Sequence, residues 1–184
     1  MKKAFVAAAA VLLMTGFGFA ATIVYDLNGN PTDGPDMINV PVSTNVPVDI
    51  WVFGPPAGAI SFGTIMCNPD HSLVYVSCVY SLPTGWTGIA PTAPGADNCI
   101  TVQGVTFTGT PVAILPYKAA TVTWHAAVDH SIDTLVSAAT SGILSSGFSS
   151  ISFENNEQVL ATIQIGTIVG TEETNWGAVK SLFR

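Results

Sequence analysis

Acidic and amide side chains cluster in the segment DLNGNPTDGPD, which spans residues 26–36. Asp26, Asn28 and Asn30 occupy positions one, three and five of a calcium-loop spacing. In such a loop, alternate side chains direct oxygen atoms at one hard cation. The spacing therefore predicts a calcium site here, and calcium is the one cofactor that the sequence indicates.

Two other positions depart from the calcium-loop pattern. Pro31 replaces the glycine that makes the sharp turn, and Met37 stands where a bidentate carboxylate closes the site. Asp33 and Asp36 offer oxygen atoms for an irregular calcium site instead. The alternative is an Asn-Gly hairpin turn without a metal.

Aromatic side chains suited to sugar binding occur at Trp51, Trp86 and Trp124. Sugar rings stack on exposed aromatic platforms, so a row of tryptophans on a sheet predicts a polysaccharide site. Trp51 alternates with the valines of its segment and therefore faces away from them. Trp51 and Trp86 are the predicted carbohydrate-binding residues, and the alternative is that these side chains fill the core.

Three cysteines follow the N-terminal region, at Cys67, Cys78 and Cys99. An exported protein can form disulfides, but an odd count leaves one cysteine over. A short hairpin through residues 68–71 would put Cys67 opposite about Leu73, several residues short of Cys78. We therefore favour a Cys78–Cys99 disulfide. The other two pairings, and three buried thiols without a disulfide, stay open.

The sequence has none of the spacings that mark common catalytic sites, such as a G-x-S-x-G elbow, a P-loop or an HExxH motif. We therefore predict no catalytic residues and no enzyme activity. The net charge is −7, and no Lys or Arg lies between Lys3 and Lys118. Because cations are needed to neutralise phosphates, this composition excludes a nucleic-acid partner.

The N-terminus has the pattern of a secretory signal. Lys2 and Lys3 precede an apolar run over residues 4–14, and Gly18 and Ala20 are the small residues that a signal peptidase recognises. We predict residues 1–20 to be a signal peptide cleaved after Ala20, with a retained membrane anchor as the alternative. The mature chain would then have no transmembrane anchor and would be secreted or held at the surface of a bacterial cell.

The ending TEETNWGAVKSLFR has helical spacing. Trp176, Val179 and Phe183 share one face, and Lys180 and Arg184 lie near the end, where cations favour the helix dipole. The pattern predicts a short C-terminal helix that is marginal alone. We interpret it as a sorting or docking tail, and the alternative is that it packs on its own domain.

Between these ends, short β-type runs alternate with turns rich in Gly, Pro, Asn and Asp. About nine strands without connecting helices predict an all-β fold, an antiparallel two-sheet β-sandwich or jelly roll. The predicted runs are 46–52, 60–67, 73–81, 86–90, 100–108, 120–127, 134–138, 149–154 and 159–168.

The stretch ISFGTIMCNPDHSLVYVSC, residues 60–78, resembles the cohesin and cohesin-like pattern. In that pattern an apolar strand runs into a short Asn/Asp-Pro turn and then into a strand of the form Leu-x-Phe/Tyr-Val-Ser. Leu73, Tyr75, Val76 and Ser77 match this second strand. The resemblance implies a cohesin-like β-sandwich.

Two later pieces extend the resemblance. Gly104 lies within a predicted strand, and ATVTWHA at 120–126 is similar to the cohesin-like strand Ala-x-Val-x-Phe-x-Ala. The resemblance covers residues 38–168. The chain thus divides into a signal peptide (1–20), an N-terminal strand with an Asx/Gly/Pro-rich loop (21–37), the cohesin-like β-sandwich (38–168) and the C-terminal tail (169–184).

Cohesins present one sheet face to a dockerin module, and cohesin-like domains occur on secreted and cell-surface proteins. The resemblance therefore implies a non-enzymatic module with an adhesive, scaffolding or structural role, although the three cysteines depart from the ordinary cohesin pattern. The expected partner is another extracellular protein module or a polysaccharide, with a homo-oligomer also open. The alternatives are a carbohydrate-binding module and an extracellular filament subunit, in which residues 22–43 complete a neighbour's sheet by strand addition.

Overall fold

The alternation of apolar and polar residues decides which side of each strand is buried. In the computed structural model of this protein, Val46, Val48, Ile50 and Val52 have at most 1% of their surface exposed. Trp51, on the opposite face of the same strand, is partly exposed. The predicted orientation of this strand is confirmed.

The structure describes residues 21–53, 59–107, 116–138, 141–145 and 150–166. Within these ranges the chain forms twelve β-strands and no helix. The strands are β1 (Thr22–Asp26), β2 (Asp36–Val40), β3 (Asn45–Phe53), β4 (Ala59–Cys67), β5 (Leu73–Tyr80), β6 (Trp86–Ile89), β7 (Cys99–Thr106), β8 (Tyr117–Ala126), β9 (His130–Ser137), β10 (Gly142–Ser145), β11 (Ser150–Ser152) and β12 (Val159–Ile165).

The strands form two sheets that pack face to face. The smaller sheet has the order β1-β3-β8-β5. The larger sheet has the order β11-β10-β4-β9-β12-β2, with β7 paired to β4 and β6 paired to β7. The prediction of an all-β sandwich of two sheets is confirmed.

The structure differs from the expected strand set in two respects. β2 and β10 are additional strands that the periodicity did not predict, because they have only five and four residues. β2 also pairs with β12 in parallel, from Ala161 opposite Asp36 to Ile165 opposite Val40. A parallel pair needs a long connection, and here most of the domain lies between the two strands.

Tyr80 of β5 ties the smaller sheet to the β6–β7 pair of the larger one. Its hydroxyl donates a hydrogen bond to the carbonyl of Ile89 at 2.5 Å and accepts one from the N–H of Gln103 at 3.2 Å. The ring lies over Gly88, which pairs with Gly104 across the β6–β7 ladder. A side chain at Gly88 would collide with the ring, so glycine is required for this contact.

We expect Gly88→Ala to lower the free energy of unfolding by about 1–3 kcal/mol, because the new methyl group must displace a ring held at its hydroxyl. Gly63→Ala is the matched control. Gly63 lies in the same sheet, and a Cβ there meets only the side chain of Gln103, at 3.9 Å. Urea unfolding of both variants checks this, and equal losses would contradict it.

We also expect the stability to fall in alkaline solution. Burial raises the pKa of Tyr80 to about 12, above the ordinary value of 10.0. The folded protein keeps the Tyr80 hydroxyl protonated at pH values where the unfolded chain already loses this proton. The contribution of Tyr80 to stability is therefore complete below pH 10 and is lost as the pH rises through 12. Tyr80→Phe should reduce that alkaline loss. Urea midpoints measured from pH 8 to pH 12 test this, and an unchanged alkaline slope in the variant would contradict it.

Candidate interaction surface

Asp26 organises the loop between β1 and β2. Its side chain is buried, and its Oδ1 accepts the backbone N–H groups of Asn28, Gly29 and Asn30 at 3.0, 2.7 and 3.2 Å. Its Oδ2 accepts the indole N–H of Trp51 at 3.1 Å. This arrangement is an Asx-type turn in which one carboxylate satisfies the loop backbone.

Asp36 closes the same loop from the other side. Its Oδ2 accepts the N–H of Leu27 at 2.5 Å, and its Oδ1 accepts the side-chain amide of Asn28 at 2.8 Å. The same amide donates to Asp33 Oδ2 at 3.0 Å. Burial, with repulsion from Asp33 and Asp26, raises the pKa of Asp36, and the hydrogen bond from Leu27 opposes this rise.

The carboxylates of this loop therefore accept hydrogen bonds from backbone and side-chain N–H groups. In the described part of the chain, no group of three or more His, Cys, Asp or Glu side chains is placed to hold a metal ion. Calcium binding stays a prediction for the five residues named for it, which are Asp26, Asn28, Asn30, Asp33 and Asp36.

The tryptophans do not form the expected aromatic row. Trp51 lies on β3 of the smaller sheet, and Trp86 lies on β6 of the larger sheet, where it packs against the core. Trp124 is fully buried, and its indole N–H donates to Met66 Sδ at 3.4 Å. The structure thus separates Trp51 from Trp86 instead of aligning them for one sugar chain.

The disulfide joins Cys67 to Cys99, so the predicted Cys78–Cys99 pairing is wrong. The prediction treated residues 68–71 as a hairpin, but this turn carries the chain from β4 in one sheet to β5 in the other. Cys67 is instead directly opposite Cys99 in the β4–β7 ladder, with a Cα–Cα distance of 4.1 Å. Cys78 is a free, partly buried thiol.

A buried polar network surrounds this turn. Asn68 donates to Asp133 Oδ1 at 3.1 Å and to the Thr134 carbonyl at 3.2 Å, and its Oδ1 accepts the N–H of Leu73 at 3.1 Å. The side-chain amide of Asn98 donates to the carbonyls of Asn68 and Leu73 at 3.1 and 3.0 Å. These contacts connect β4, β5, β7 and β9 at one end of the sandwich.

The sequence contains a signal for this network that the pattern analysis missed. One asparagine directly follows Cys67, and another directly precedes Cys99. Ser72 completes the network by donating its hydroxyl to Asp133 Oδ1 at 2.5 Å. Asn98 has a positive φ of 52°, a backbone conformation that asparagine tolerates better than most residues.

We expect the double change Cys67→Ser, Cys99→Ser to lower the free energy of unfolding by about 2–4 kcal/mol, since the bridge closes a loop with a sequence separation of 32. Cys78→Ser is the control, and its loss should stay below about 1 kcal/mol. Peptide mapping without reduction should recover Cys67 joined to Cys99. A Cys78 peptide in a disulfide would contradict this assignment.

The outer side of β4, β6 and β7 forms a surface without charged side chains, which we call the uncharged face. Its residues alternate with buried ones along β4 and β7 and pair across the ladders, for example Ile65 with Thr101 and Gln103 with Ile89. Ile89 has 46% of its surface exposed. The uncharged face consists of Ser61, Gly63, Ile65, Thr87, Ile89, Thr101, Gln103 and Val105.

The outer side of the smaller sheet is different in character. Lys118 Nζ forms an ion pair with Asp49 Oδ2 at 3.0 Å, and Thr121 donates its hydroxyl to the other oxygen of Asp49 at 2.5 Å. His125 Nδ1 lies 2.8 Å from the side-chain oxygen of Asn45. The outer side of the smaller sheet therefore carries an ion pair, whereas the uncharged face has no charged side chain.

Both chain ends named in the sequence analysis lie outside the described residues. These are the predicted signal peptide at 1–20 and the tail at 169–184, with Trp176, Val179, Lys180, Phe183, Arg184 and the expected helix. In the ranges that the structure describes, no helix has the length and apolar character needed to cross a membrane.

No protein-family model and no curated protein matches this sequence. Solved structures do match. A cohesin module of a family 33 glycoside hydrolase from Clostridium perfringens has a TM-score of 0.61 at 7% identity, covering 80% of this chain and 97% of that chain. A non-cellulosomal cohesin from the archaeon Archaeoglobus fulgidus has a TM-score of 0.57 at 16% identity, covering 86% and 97%.

A third match is a Clostridium thermocellum cohesin solved in a type I cohesin–dockerin complex. Its TM-score is 0.57 at 11% identity, covering 79% of this chain and 99% of that chain. At these identities the likeness concerns the fold. The chain therefore has a cohesin-like fold over most of its length, as the resemblance of residues 38–168 predicts.

Proposed function

We propose that this chain is a non-enzymatic module that binds another extracellular protein module through the uncharged face, in an adhesive, scaffolding or structural role at a bacterial cell surface. The observation that carries the proposal is the face itself. It offers an extended sheet surface without charge on a chain whose net charge is −7. Charged side chains are depleted from the centres of protein interfaces relative to the rest of the protein surface.

The class of partner comes from the structural likeness. The similar Clostridium thermocellum cohesin was solved with a dockerin. We extend to this chain only the class of partner. This class is a folded protein module whose own contact surface is uncharged. Such a partner would bury Ile65, Ile89 and Val105 and satisfy the hydroxyl and amide groups beside them.

The proposed location rests on two features of the chain. The sequence at residues 1–20 has the basic, apolar and small-residue order of a secretory signal. The Cys67–Cys99 bridge fits an oxidising compartment, where disulfides persist. Together they support export, after which the domain acts outside the cell.

The separation of the tryptophans favours a protein partner over a polysaccharide. Trp51 and Trp86 belong to different sheets, so they offer a sugar chain no common platform. The filament alternative is also less favoured, because residues 22–43 already complete this chain's own sheets. Ile23 and Tyr25 of this segment are fully buried and would have to leave the core first.

The double variant Ile89→Lys, Thr101→Lys should lose the partner, because it buries two like charges without partners in the proposed interface. We expect at least a tenfold rise in Kd, about 1.4 kcal/mol. The partner is first captured from the secreted proteins of the source culture and identified by mass spectrometry. Biolayer interferometry with the purified partner then gives the Kd.

Thr123→Lys is the matched control, since Thr123 is partly exposed on the outer side of the smaller sheet. Its Kd should stay within about twofold of the original. Circular dichroism and urea unfolding confirm that both variants fold. If the control weakens binding and the double variant does not, the interface is on the other sheet and the proposal fails.

A further inference from the structure

β5 is the longest strand at a sheet edge in the described part of the chain. It has eight residues and pairs only with β8, whereas the other edge strands β1, β2, β6 and β11 have between three and five residues. An edge strand presents backbone N–H and C=O groups to which another strand can pair. Natural edges are commonly guarded by charged side chains, proline, a β-bulge or a covering segment.

The side chains of β5 do not guard it. The strand reads LVYVSCVY and contains no charged residue and no proline. Val74, Val76 and Val79 have 51%, 49% and 64% of their surface exposed. Three exposed β-branched residues on one uncharged edge strand form a surface that favours strand pairing.

The opposite edge of the same sheet, β1, is guarded. The side-chain oxygen of Asn155 accepts the N–H of Ile23 at 3.2 Å, and its amide group donates to the carbonyl of Ile23. The N–H of Glu154 donates to the carbonyl of Ala21 at 3.0 Å. Asn155 thus imitates the peptide group of a neighbouring strand. Within the described residues, no side chain occupies the backbone of Val74–Val79 in this way.

We infer that β5 is a self-association edge. A second copy of this chain pairs its own β5 with this one, antiparallel and across a two-fold axis, which joins the two smaller sheets into one continuous sheet. The interface is isologous, so it closes at two copies. The guarded β1 edge prevents further copies from adding at the other side of the sheet.

The occupant is a second copy because the strand is self-complementary. With the axis between Val76 and Ser77, Val74 lies across from Val79 of the partner subunit, and both face outward. Opposed apolar β-branched pairs stabilise the pairing of two strands. Two copies with a net charge of −7 repel at most other surfaces, but at β5 no like charges stand opposite each other.

A β-bulge sets the position of the axis. The register of β5 against β8 shifts between Tyr75 and Ser77, so Val76 has no partner on β8. Such a bulge twists the strand locally. An axis beside Val76 brings the two bulges together and leaves a regular ladder on either side of them. A register that moves the axis away from Val76 would set each bulge against a regular segment.

The test compares Val79→Lys with Val159→Lys. Val159 is an exposed strand valine of the larger sheet, with 44% of its surface exposed. Both changes are made in a Cys78→Ser background, so that no disulfide can link two copies. Sedimentation velocity of the full chain, as its host processes it, should show a dimer. Its Kd should rise at least tenfold with Val79→Lys and stay unchanged with Val159→Lys.

Hydrogen exchange of the unmodified chain gives a second measurement that does not depend on a variant folding. The amides of residues 74–80 should exchange more slowly at high protein concentration than at low concentration. A chain that sediments as a monomer up to about 1 mM overturns the inference. So does a dimer that Val79→Lys leaves intact, or a protein of a different sequence that protects β5. None of these results bears on partner binding at the uncharged face.

Discussion

The buried amide of Asn68 is the constraint on which the arrangement of the two sheets depends. It lies where the chain leaves β4 for β5, and its side chain is fully withdrawn from solvent. A buried polar group without partners costs about 1–3 kcal/mol, so the turn has one low-energy conformation, in which Asp133, Leu73 and Asn98 satisfy it. The Cys67–Cys99 bridge lies one residue from each asparagine and holds the same point covalently. These contacts hold β4, β7 and β9 of the larger sheet and β5 of the smaller sheet together at one end of the sandwich.

The outer surfaces of the two sheets carry different side chains. The larger sheet presents the uncharged face, in which small, β-branched and amide side chains alternate with the core residues of β4, β6 and β7. The smaller sheet carries the Asp49–Lys118 ion pair on its outer side and ends at one open and one capped edge. The two proposed interactions would use different sheets, so binding at the uncharged face would not compete with pairing at β5.

Local patterns were sufficient to predict much of this fold. The alternation over Val46–Val52 gave the buried side of β3 because each strand residue points opposite to its neighbours. Contacts between strands that are distant in the sequence were not predictable in this way. The Asn-Pro-Asp turn after Cys67 has the same composition whether it closes a hairpin or crosses between sheets, so the cysteine pairing was wrong. For the same reason, the separation of Trp51 from Trp86 and the parallel β2–β12 pair depend on sheet order, which strand periodicity does not contain.

The position of the bridge also affects the order in which the strands align and the disulfide forms. Cys67 and Cys99 enclose the longest loop that three cysteines of this chain can close, and Cys78 lies inside it. Chain statistics favour the shorter, incorrect loops in an unfolded polypeptide, because closure becomes less favourable as length grows. The native bond therefore forms efficiently only after β4 and β7 have aligned. Oxidative folding would then be limited by thiol exchange, and a disulfide isomerase would speed it more than a stronger oxidant would.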